Sequence, residues 1–76
     1  MTSLSRARTQ THLLRAAQLG AAVARADLAG IPDQAAVHMA RWRRLRRYAD
    51  RDTRAMLRVA FDTGYGLQMT KQSSLV

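Results

Sequence analysis

Seventy-six residues allow one domain and only a small core. Without cysteine, neither a disulfide nor a thiolate metal site can reinforce that core, which leaves association with another chain. Twelve Arg and one Lys stand against five Asp and no Glu, a formal net charge of +8 that attracts nucleic acid, an anionic membrane or an acidic protein face.

Arg and Ala together, with Lys and Glu nearly absent, are also what GC-rich coding produces, so composition alone assigns the charge no use. Fourteen alanines and a single proline predict an all-α chain with few breaks. No apolar run reaches the length of a membrane span, and a membrane partner is not expected. The N-terminal region carries Arg6, Arg8, Arg15 and Arg25 with no acid before Asp27, which is transit-peptide composition. Gln18 and Gly20 interrupt its apolar stretch, so it reads as a mature helix and the location as cytoplasmic.

In chain order, Ser3 or Ser5 is placed to cap a first helix over about 4–29. Leu14, Ala17, Ala21, Ala24, Leu28 and Ile31 follow three- and four-residue spacing and form one stripe, with Leu19 and Val23 outside it. Gly30-Ile31-Pro32-Asp33 is a turn over 30–33: Gly30 suits a left-handed C-terminal position, Pro32 removes a donor, and Asp33 can cap a second helix. A connection this short makes its helices antiparallel neighbours.

The second helix is predicted over about 34–62. On a helical wheel Ala35, His38, Trp42, Leu45, Ala49, Met56, Val59 and Ala60 share one arc, too wide for a single partner helix to cover. Asp52 falls inside that arc and calls for a cationic partner. Thr63-Gly64-Tyr65-Gly66 reads as a helix stop, closing a hairpin over 1–66 and leaving 67–76 as a flexible tail. The expected architecture is an antiparallel two-helix hairpin that forms a four-helix bundle as a homodimer. Its core or dimer interface would comprise Leu14, Ala17, Ala21, Leu28, His38, Trp42, Leu45, Ala49, Asp52, Met56 and Val59.

Opposite the apolar arc, Arg43, Arg44, Arg47, Arg51, Arg54 and Arg58 occupy a narrow stripe. A row of guanidinium groups on a rigid rod matches a phosphate backbone in charge and shape, and each planar fork can grip phosphate with two hydrogen bonds. Trp42 lies on the apolar arc and reads as a core anchor rather than a base-stacking platform. Ala26 to Val37 has the rhythm of a helix-turn-helix. The fit fails in detail, because Val37 comes one residue late, Arg25 sits where an apolar residue belongs, and no third helix is evident.

Catalysis is not expected: Cys and Glu are absent, His and Asp are not clustered, and no glycine-rich loop follows a strand. No metal or cofactor is expected either. The residues lead to a small basic regulator that binds DNA or RNA. The alternative is a protein-binding module, an anti-activator or inhibitor of the kind mobile elements encode, docking on an acidic or apolar face of a host protein.

Overall fold

The computed structural model describes residues 3–74, with side chains from Arg8 to Lys71. These residues form three helices and no strand: α1 (Ser3–Ala29), α2 (Pro32–Arg47) and α3 (Arg51–Ser74). The chain is all-α, but it is not the two-helix hairpin expected: the long second helix is two helices.

The first turn matches the sequence closely. Gly30 has a φ of +70°, the left-handed conformation that only glycine adopts without strain. The Ile31 N–H donates to the Ala26 carbonyl at 3.0 Å and the Gly30 N–H to the Asp27 carbonyl at 3.1 Å, the double closure of a Schellman motif. Pro32 takes the first helical position, where its missing N–H does no harm. Ile31 rather than Asp33 is the N-cap residue, and it makes no side-chain capping bond. Asp33 sits in the first turn of α2, where its charge meets the positive helix end.

The second turn, at Tyr48-Ala49-Asp50, departs from the expected continuous helix. α2 ends at Arg47 with Tyr48 as its C-cap, and Asp50 starts the next helix. Its Oδ1 accepts the Thr53 N–H at 2.8 Å and its carbonyl accepts the Arg54 N–H at 2.8 Å, so Asp50 caps α3. At the end of α2 the Arg46 oxygen accepts the Ala49 N–H at 3.1 Å and also Arg54 Nε at 3.1 Å, while Arg54 Nη2 donates to the Arg47 oxygen at 3.4 Å.

α3 then runs without a stop through Gly64-Tyr65-Gly66 to Ser74, in place of the predicted helix end and tail from 67 onward. The reason is packing. Gly20 and Gly64 lie where α1 and α3 cross, and each lets the other helix's backbone come close. A Cβ on Gly20 would drive into the Phe61 carbonyl, and one on Gly64 into the Ala17 carbonyl. Glycine serves close approach here rather than a turn. α3 packs chiefly on α1. Thr53 shares a groove with Thr9 and His12, while the Tyr65 hydroxyl reaches Asp27 Oδ2 at 3.0 Å, so α3 runs in the same direction as α1.

The core is Ala16, Leu19 and Val23 of α1, Trp42 of α2, and Leu57 and Phe61 of α3. Trp42 joins α2 to α3 by stacking on Phe61, with ring centroids 4.4 Å apart and planes at 23°. Within one chain, the positions expected in a core or dimer interface divide between buried and exposed. Leu19 and Val23, outside the predicted stripe, are buried, as are Leu57 and Phe61. Leu14, Leu28, Met56 and Val59 are exposed, Ala17 and Ala21 half-buried, and Asp52 exposed in the first turn of α3, where the helix dipole satisfies its charge. Trp42 is buried as predicted, and Leu45 and Ala49 pack against the core cluster.

Gly20→Ala and Gly64→Ala should each lower the melting temperature, because overpacking costs about 1–3 kcal/mol against a helix-propensity gain of at most ~1 kcal/mol. Gly66 has open space around it. Gly66→Ala should therefore raise stability by about 0.5–1 kcal/mol. Thermal melts followed by circular dichroism check the contrast. A rise for all three variants would contradict the close crossing.

Candidate nucleic-acid interface

α2 contributes Arg41, Arg43, Arg44, Arg46 and Arg47 within seven positions, and the break after Arg47 decides where the remaining arginines stand. In a continuous helix the six predicted residues would form one line. With the chain reversing at 48–50, they fall on two flanks of α2.

On the first flank, α1 and α2 enclose an open groove of about 970 Å³. Arg8, Arg15 and Arg25 line it from α1, and Arg41 and Arg44 from α2, with His12 and His38 between them. Leu19, Ala22, Leu45 and Ala49 supply its apolar lining. Of the predicted stripe only Arg44 stands here. Arg8, Arg15, Arg25 and Arg41 escape a reading of the sequence because the two rims of the groove come from different helices. Their only trace there is the recurrence of Arg on both.

On the second flank, where α2 meets α3, Arg43 and Arg47 share a side of α2, and Arg51, Arg54 and Arg58 recur at three- and four-residue spacing on α3. Of these, Arg54 reaches back to the carbonyls at the end of α2. Two of these guanidinium groups already have structural work: Arg54 closes the end of α2, and Arg47 lies 5.9 Å from the Tyr48 ring centroid. Arg43, Arg51 and Arg58 are exposed. Arg46 lies 5.5 Å from the centroid of the Trp42 ring, which is buried against Phe61, so Trp42 offers no open face to a base.

Five carboxylates stand against thirteen Arg and Lys, so the surface keeps a net positive charge. Asp33, Asp50 and Asp52 occupy the starts of α2 and α3, and Asp27 accepts the Tyr65 hydroxyl. The phenol of Tyr65 is raised above its ordinary range, first by that hydrogen bond, then by burial and the Asp27 charge. Asp50 is the one carboxylate bordering the groove, and its Oδ1 is engaged in capping. His38 is half-buried in the groove wall, and its Nδ1 has no hydrogen-bond partner, in contrast to a satisfied core histidine.

Among the described residues, no group of three or more His, Cys, Asp or Glu could hold a metal ion, and no helix is long and apolar enough to cross a membrane. Compared with protein-family models, curated proteins and solved structures, the chain matches none.

Hydrogen bonding to the Thr53 side chain and backbone N–H holds the Asp50 carboxyl below its ordinary range; burial opposes this and the Arg54 charge assists it. A depressed carboxyl stabilises the fold above its unfolded pKa of about 3.9, and that contribution disappears as pH falls through the folded value. Asp50→Asn keeps a capping oxygen but cannot titrate. Its melting temperature should stay close to that of the parent near neutrality and fall less steeply between about pH 5 and pH 2. Melts across that range check this, and identical slopes would show that the cap carries no pH dependence.

Proposed function

We propose that this protein is a non-enzymatic nucleic-acid-binding regulator that seats the phosphate backbone on its α2 side, with the groove between α1 and α2 as the centre of contact. The observation that carries this is the convergence of Arg8, Arg15, Arg25, Arg41 and Arg44 on one groove whose one bordering carboxylate is occupied elsewhere. Like charges brought this close repel one another, and a polyanion relieves the repulsion by replacing condensed counterions. The second flank, with Arg43, Arg51 and Arg58, extends the positive surface around α2. No feature of the groove reads base edges, so binding should depend on charge and shape rather than on sequence. Association of two copies, in a cytoplasmic setting, belongs to the same proposal, since two grooves on one particle bind a long polyanion more tightly than one.

The apolar lining of the groove favours a second reading. Leu19, Ala22, Leu45 and Ala49 beneath a basic rim would accept an amphipathic acidic helix of a host protein. The protein would then be an anti-activator or inhibitor.

Mobility shifts with duplex DNA and with RNA across a salt series test the first reading. Affinity should fall steeply with salt, by about 0.9 in log–log slope per phosphate contact on duplex DNA. Arg15→Ala combined with Arg41→Ala should reduce that slope by about two and weaken all sequences alike. Arg51→Ala combined with Arg58→Ala should have a smaller effect. Absence of binding to both nucleic acids at low salt would end this reading. A partner that survives nuclease treatment in a pull-down and is lost with the groove variant would establish the second.

A further inference from the structure

The side of the molecule turned away from α2 carries an apolar stripe, with the exposed Asp52 at its start, one turn before Met56. On α1, Leu14, Ala21 and Leu28 recur every seven residues, on the flank beyond the stripe that meets α3. On α3, Met56, Val59 and Leu67 recur with Thr63 at three- and four-residue spacing, on the flank opposite the one that carries Phe61 toward Trp42. Because α1 and α3 run in the same direction side by side, the two flanks form one face. The five large side chains on it are between 47% and 67% exposed.

We infer that this α1–α3 face is a homodimer interface, covered by the same face of a second copy. Three observations select a second copy over other occupants. First, the core is thin: among the described residues, eight apolar ones are buried, three of them alanine, and Leu57 is the one large side chain that is fully buried. A second layer on α1 and α3 supplies the apolar burial that a 76-residue chain without disulfides lacks. Second, the size fits. A face two helices wide and one 27-residue helix long measures roughly 20 by 40 Å, close to the approximately 800 Å² per partner of a stable interface. Third, the charges are arranged for it. The guanidinium groups gather around α2, so two copies meeting through α1 and α3 hold their positive sides apart, whereas an anionic lipid surface would draw the α2 side and turn the apolar face away. In such a dimer the two basic grooves open outward on opposite sides.

Sedimentation in high salt tests the inference without reference to any anion, so its failure and failure of the polyanion reading are separate results. The parent chain should sediment at twice 8.5 kDa. Val59→Asp with Leu67→Gln alters only exposed positions and should give a monomer with unchanged helical circular dichroism. Should that pair lose helicity, Leu14→Gln alone carries the test, and it should weaken dimerisation at least about tenfold. A parent chain that is monomeric at all concentrations overturns the inference, as does a folded variant that stays dimeric. A monomer that pellets with vesicles of anionic lipid overturns it in favour of a membrane surface.

Discussion

The close crossing of α1 and α3 at Gly20 and Gly64 sets the frame on which everything else is placed. With no Cβ on either side, the Ala17 and Phe61 carbonyls can approach the facing helix, and the two longest helices lie together as a slab. Phe61, one turn before Gly64, is thereby presented to Trp42, and that stack ties α3 to α2, which packs chiefly on α1. Larger residues at the crossing would push α3 outward and separate the rings that hold α2.

Seating α2 in this way divides the molecule into two chemical sides. Arginines of α1 and α2 line one groove, and Arg54 of α3 reaches back to the end of α2. The back of the slab keeps Leu14, Leu28, Met56, Val59 and Leu67. Most carboxylates are engaged at helix starts or by Tyr65 and do little to neutralise the basic side. A basic side and an apolar side thus lie on one small particle.

Asp50 shows how one residue can redirect a whole surface. On a continuous helix it would be one charge among neighbouring arginines; as a cap, it starts α3 after α2 has ended at Arg47. Arg54 completes the exchange by closing the carbonyls that the break leaves open, so a residue expected to bind phosphate instead holds the turn together.

The all-α class, α1 almost to the residue, the left-handed Gly30 and the buried Trp42 were legible in the sequence, because each rests on local chemistry: propensity, periodicity, and the glycine-then-proline signature of a turn. The surplus of arginine was legible from composition alone. The break at 48–50 was not, since Tyr, Ala and Asp are all compatible with a helix and the cap forms only when Asp50 turns to Thr53. Nor was the role of Gly64, whose meaning depends on which backbone lies against it. The burial of Leu19, Val23 and Phe61 and the pairing of Arg8, Arg15 and Arg25 with Arg41 and Arg44 required the tertiary structure, because a helical wheel orders residues around one axis and cannot show which two axes come together.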